Sequence, residues 1–132
     1  MNATGKQVAL IKRTLPSIRL SANEVQSIEA RRDDLAKSNN VPASSLNLDI
    51  PKIKLPIEWV GFDMDGRLWV SRSVVDGHPH EADIYSPDGK WIAIMQWPAT
   101  VRLTYLAVKG NSGFGVTYDD DGGVHIVRLT WN

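Results

Sequence analysis

The 132 residues balance 15 Lys and Arg against 15 Asp and Glu, with 42% hydrophobic and 23% charged content. Such a composition sets aside wholesale disorder and suits one domain that buries roughly two-thirds of its unfolded surface. It supplies no net field toward nucleic acid or an acidic membrane, and the absence of cysteine removes disulfides, thiolate nucleophiles and thiolate metal sites.

In chain order, Met1-Asn2-Ala3-Thr4-Gly5-Lys6 is polar and leads into no signal-peptide apolar core. No apolar run approaches the ~20 residues of a membrane span. The chain as written is therefore expected to be soluble and cytoplasmic, its compartment left open should it be a piece of something longer. Residues 7–15 alternate in part and include Val8, Ala9, Leu10 and Ile11, which predicts one strand closed by Pro16. Ser21-Ala22-Asn23-Glu24 is a capping box. It predicts a helix over 22–37, with Val25, Ile28, Leu35 and Ala36 facing inward. The stripe is narrow and Arg32 interrupts it, the pattern of a helix lying on the surface of something else. Ser38-Asn39-Asn40 followed by Pro42 ends it. Residues 41–56 hold three prolines and read as an extended connector, so residues 1–56 form one unit of strand, helix and connector.

From Ile57 onward the chain reads as all β. Strands are predicted at 58–63, 67–73, 82–85, 91–97, 101–108, 115–118 and 124–131. Trp91, Ile92, Ala93, Ile94 and Met95 are apolar at every position, which predicts a strand covered on both faces. Charge divides unevenly along the chain. Residues 1–60 carry nine Lys/Arg and six Asp/Glu, and residues 61–132 carry six and nine. The opposite signs favour head-to-tail association between copies, although exposed charges contribute little.

One pattern occurs three times within residues 57–132. It reads Phe62-Asp63-Met64-Asp65-Gly66-Arg67-Leu68-Trp69-Val70, then Tyr85-Ser86-Pro87-Asp88-Gly89-Lys90-Trp91-Ile92-Ala93, then Tyr118-Asp119-Asp120-Asp121-Gly122-Gly123-Val124-His125-Ile126. Counted from the glycine, an aromatic stands four before, Asp directly before, and apolar residues two and four after. Asp-Gly between apolar strands signals a hairpin, and a recurring hairpin signals a repeat architecture. The second copy, continued to Ile94, closely resembles the Ser-Pro-Asp-Gly-Lys repeat of WD40-like β-propeller proteins such as the TolB family. The first is similar to the corresponding hairpin of six-bladed propellers of the NHL and SMP-30 kind.

The resemblance implies one blade over 57–98 and a shorter one over 99–131, with residues 7–15 resembling a strand of a preceding blade. The expected fold is thus mainly β: about two propeller-like antiparallel blades preceded by one strand and one helix. Propellers close with about four to eight blades, and two alone leave apolar faces and edges open. The chain is accordingly expected to be a homo-oligomer, for which three copies would supply six blades through heterologous contacts. The alternative is a small open sheet packed on its own helix.

Asp76-Gly77-His78-Pro79-His80-Glu81 is the most reactive-looking stretch. Side chains two apart share a face of a strand, so His78 and His80 could reach one ion with Asp76 or Glu81. A polar loop between hairpins explains the same residues, and His125 belongs to a separate strand. The Asp63/Asp65 and Asp119/Asp120/Asp121 runs lack the spaced Glu of a calcium loop and are read as turn chemistry. Trp91, Tyr85 and Tyr118 occupy repeat-locked positions expected in the core. Trp69 stands three after its glycine, on the alternate face, and is a candidate for an interface or pocket. No serine sits in a nucleophile elbow. The Gly110-Asn111-Ser112-Gly113-Phe114-Gly115 run joins strands and lacks the Lys of a phosphate loop.

These features lead to an expected non-catalytic, propeller-like binding or interaction module that acts as an oligomer. Its candidate ligand or interface residues are Trp69, His78, His80 and Glu81. No catalytic set, metal or cofactor is assigned. The partner is a second copy, together with an unidentified protein or small molecule, and neither nucleic acid nor membrane is expected. The alternative is a metal-assisted hydrolase resembling SMP-30-type lactonases, with His78, His80 and nearby carboxylates on the ion.

Overall fold

The computed structural model describes residues 10–46 and 49–132. Helix α1 (Ala22–Ser38) begins as its capping box dictates. The Ser21 hydroxyl accepts from the Glu24 amide at 3.1 Å, and the Glu24 carboxylate accepts from the Ser21 amide at 2.8 Å. At the far end Asn40 takes a left-handed φ of 52°. The amides of Asn40 and Val41 then fold back onto the carbonyls of Lys37 and Ala36, the double bond that closes many helices. A 3-10 turn follows at Ala43–Ser45. Only Ala36 of α1 is buried, in keeping with the weak apolar stripe.

The β part is two antiparallel sheets. The first holds β1 (Ile57–Phe62), β2 (Leu68–Arg72), β3 (His80–Tyr85) and β4 (Trp91–Trp97) in that order. The second holds β5 (Arg102–Lys109), β6 (Ser112–Tyr118) and β7 (Val124–Thr130). The chain is mainly β, and it changes sheets at 98–101, where the resemblance implies a division at 98/99.

Each repeat copy makes the same turn, and the glycine's neighbours show why. Asp63, Ser86 and Asp119 each stand three before a glycine and each donate a backbone amide to the carbonyl one after it (Arg67, Lys90 and Gly123, at 2.8–3.1 Å). The side-chain oxygens of the same three residues accept the amides of Arg67, Lys90 and Gly123. Gly66, Gly89 and Gly122 sit at φ 72°, 85° and 82°, a region costly for residues with a Cβ. The amide after the glycine is therefore held by the residue three before the glycine, not by the Asp directly before it. In the first copy the Asp directly before the glycine reaches another hairpin. Asp65 accepts the Gly110 amide at 2.6 Å, and Met64 donates to Val108 at 3.0 Å, tying the β1–β2 turn to the β5–β6 hairpin of the other sheet.

The sheets meet face to face around Trp69, Ala82, Ile84, Trp97, Val101, Leu103 and Val108, with Trp59, Met95, Val127, Leu129 and Trp131 packed against them. Trp69 lies at the centre, its ring 6.2 Å from Trp97 and 5.8 Å from Trp131. Its indole N–H donates to Asp63 at 2.8 Å. Trp59 stacks on Tyr105 at 4.9 Å, and Gly61 leaves room for that ring.

Several expectations are corrected. Residues 7–9 of the anticipated first strand lie outside the described residues, and residues 10–15 form no strand. Instead Arg13 reaches the outer side of the first sheet, 2.9 Å from Asp83 and over the Trp91 ring at 6.0 Å. Among the described residues one isolated bridge, Arg19 to Ile53, ties the stretch just before α1 to the connector. Tyr85 is buried, but Trp91 and Tyr118 are exposed, and β4 is covered on one face only. The register explains this. Ala93, Met95 and Trp97 share the inner face with Ile84, Ala82 and His80, while Ile94 pairs with Asp83 on the outer one. Among the described residues no helix is long and apolar enough to cross a membrane.

Candidate ligand cleft between the sheets

The change of sheet opens a cleft. After β4 the chain turns at Pro98, whose carbonyl accepts the Val101 amide at 3.0 Å. The turn sets Thr100 and Arg102 opposite Glu58 and Trp59 of β1 and His80 of β3. The resulting space measures about 580 Å³, and Trp97, Val116 and Tyr118 also line it. Its walls combine indole rings with one carboxylate and one guanidinium. Binding sites commonly share that make-up, an apolar surface with a few placed polar groups.

His80 is held in place from two sides. Its ring stacks on Trp97 at 5.4 Å, and its Nε2 lies 3.1 Å from the Ala99 carbonyl. A carbonyl only accepts, so Nε2 carries the proton and, in the neutral ring, Nδ1 is the acceptor. Trp59 is braced from behind by Tyr105 and lies 6.5 Å from Trp97. The aromatic walls are thus fixed by the core rather than by the cleft's own contacts, the kind of support that keeps a site formed before ligand arrives. A second hollow of about 290 Å³ adjoins, bordered by Lys54, Asp76, Gly77 and His78 and sharing Glu58, His80, Ala99 and Thr100 with the first.

The four residues singled out from sequence separate. Trp69 is fully buried beneath the cleft. His80 is in the cleft wall. Glu81, the next residue of the strand, points to the opposite face, where it accepts from Arg72 at 2.7 Å and from Gln96 at 2.6 Å. His78 precedes β3, in a turn where its amide donates to Val75 at 3.0 Å. The two-residue alternation of a strand therefore does not carry over from His80 to His78. Both histidines border the smaller hollow, but among the described residues no three His, Asp or Glu side chains gather as a metal-holding group.

Glu58, Trp59, Trp97 and Arg102 come from strands more than forty residues apart at the extremes, and no local motif marks them. The only trace in the sequence is period-two alternation, which puts Trp59 on the face shared with Gly61 and Trp97 on that of Met95. No family model, curated protein or solved structure matches the chain.

Proposed function

We propose that this chain is a non-catalytic, propeller-like binding module that acts as an oligomer and takes a small ring-bearing ligand in the cleft between its sheets. The observation that carries the reading is the braced pair of indoles, Trp59 and Trp97, in a space that also presents His80, Glu58 and Arg102. Aromatic side chains offer large, rigid contact area at low entropic cost, and the two opposite charges orient a ligand by its polar rim. The repeated hairpin and the face-to-face sheets support the propeller-like description. No observation favours metal-assisted hydrolysis over this reading.

The test is a titration of a panel of small aromatic acids, aromatic amines and sugars, followed by tryptophan fluorescence and ligand-observed NMR. At least one class is expected to bind and to weaken about tenfold in Arg102→Ala or His80→Ala, the loss of one well-placed polar contact. Binding that is indifferent to both substitutions, or no binding by any class, would overturn it.

A further inference from the structure

The cleft between the sheets holds two opposite charges that the chain itself leaves unmatched. Glu58 and Arg102 both line it, and both side chains are open to solvent. Among the described residues neither forms an ion pair or a side-chain hydrogen bond, with each other or with any third group. The charged groups around them are engaged. In the adjoining hollow Lys54 bridges Glu24 to the Val74 carbonyl, and Asp76 accepts from Ser21 at 2.8 Å. Glu81, the neighbour of His80 in the chain, is held by Arg72 and Gln96.

An exception to strand alternation brings Glu58 to the cleft. Ile57 pairs with Arg72 and Trp59 with Ser71, so two steps along β1 answer one step along β2. Glu58 is the extra residue of a bulge. In an unbroken strand Glu58 and Trp59 would stand on opposite faces. The bulge lets a carboxylate and the indole that follows it border the same space, and bulges recur beside functional sites for that reason.

Arg102 arrives from the other sheet. It opens β5 just after the turn at Pro98 and pairs with Val116 of β6, which lines the cleft with it. Each sheet therefore contributes one charge, and the indoles of Trp59 and Trp97, 6.5 Å apart, share the space with both.

Opposite charges that do not pair with each other offer two separate stations to a ligand. A simple anion would use Arg102 and be repelled by Glu58, and a simple cation would meet the reverse. An uncharged ring would use neither. A ring compound with both an ammonium and a carboxylate uses both. The guanidinium fork matches a carboxylate, and the ammonium gains from Glu58 and from indole faces. We infer that the cleft's ligand is an aromatic zwitterion, of the chemical class of the aromatic amino acids, with its carboxylate on Arg102 and its ammonium on Glu58. The inference rests on the ring-ligand reading above and adds the charges that ligand carries.

The experiment uses the full chain and phenylalanine with three relatives. Phenethylamine lacks the carboxylate, hydrocinnamate lacks the ammonium, and phenethyl alcohol lacks both. Calorimetry and ligand-observed NMR at pH 7 compare their affinities. Phenylalanine is expected to bind tightest, each singly charged relative about tenfold more weakly, and the alcohol more weakly still. Glu58→Gln is expected to weaken phenylalanine and phenethylamine but not hydrocinnamate. Arg102→Gln is expected to weaken phenylalanine and hydrocinnamate but not phenethylamine. Circular dichroism checks folding, and the ligand series on the parent chain decides alone if a variant does not fold. A singly charged relative that binds as tightly as phenylalanine, or variants that penalise all four compounds alike, would overturn the inference. Should phenylalanine fail while a neutral or singly charged ring binds, the zwitterion falls and the ring-ligand reading stands. Should no ring compound bind, both fall.

Discussion

Asp63 does more than any other single residue to join turn, core and second sheet. Its carboxylate accepts the amides of Asp65 and Arg67 at 3.0 Å, the Arg67 guanidinium at 2.6 Å and the Trp69 indole at 2.8 Å. Arg67 in turn donates to the Gly110 carbonyl at 2.7 Å. Burial alone would push the carboxyl up. The Trp69 indole, the Arg67 amide and the Arg67 guanidinium outweigh it and hold the carboxyl below the ordinary aspartate value of 3.8. A carboxylate with a depressed folded value stabilises the fold above its unfolded value, and that stabilisation fades as pH falls through the folded one. Asp63→Asn is expected to cost about 1–3 kcal/mol at pH 7, since it leaves a half-buried guanidinium facing an amide and weakens the buried bond to the Trp69 indole. It should also flatten the acid side of the stability profile below about pH 3.8. Urea unfolding at pH 7 and at several acid values reads both effects. Equal stability of variant and parent at pH 7 would remove the hub role.

At the scale of elements, β1 and β5 approach closely because β1 presents Gly61 where the Tyr105 ring of the other sheet lies, and within the second sheet β6 presents Gly113 beside Val108 of β5. A Cβ at Gly61 would collide with the Tyr105 ring, and one at Gly113 would stand 2.7 Å from a Val108 methyl. Tyr105 cannot retreat without losing its stack on Trp59. Gly61→Ala is therefore expected to destabilise by about 1–3 kcal/mol, the cost of overpacking a filled core, and to disturb the cleft wall with it. Thermal unfolding measures the first, and the near-ultraviolet circular dichroism of Trp59 and Tyr105 the second. An unchanged melting temperature would show that the two strands can part without penalty. Neither glycine is remarkable in the sequence, where each sits in an ordinary strand pattern. What makes Gly61 necessary is a ring from a strand of the other sheet that local pattern cannot bring near, whereas Gly113 answers a methyl across its own hairpin.

Across the whole molecule the helix and the sheets are joined thinly. Ser21 donates to Asp76 at 2.8 Å, Lys54 bridges the Glu24 carboxylate to the Val74 carbonyl at 2.7 Å, and segment 18–20 bonds to 52–54. Buried apolar contact is nearly absent from α1, whereas the indoles of Trp59, Trp69, Trp97 and Trp131 pack in or against the inter-sheet core. Regions with few buried contacts open at lower free energy than the core. Hydrogen exchange is expected to release α1 amides well before those of β2 and β3, and tryptophan fluorescence should report a later, sharper transition than helical circular dichroism. Coincident transitions would mean that helix and sheets unfold as one.

Secondary structure was legible in the residues because its causes are local. A capping box starts α1, Asn40 closes it, and Asp-Gly turns space the strands, so all seven strands and the helix fall within a few residues of where periodicity puts them. The chain changes sheets at 98–101, beside the division at 98/99 that the resemblance implies. Which face of each strand meets water was not legible, because that depends on which sheet packs on which side. Trp69 stands three after its glycine and Trp91 two, so alternation puts the two indoles on opposite faces, and only the packing of the second sheet decides that the face of Trp69 is the buried one. The cleft likewise belongs to the tertiary structure alone. Glu58, His80, Trp97 and Arg102 become neighbours only when two sheets stack and the chain turns at Pro98, and stacking is driven by non-directional burial of apolar area that no short motif encodes.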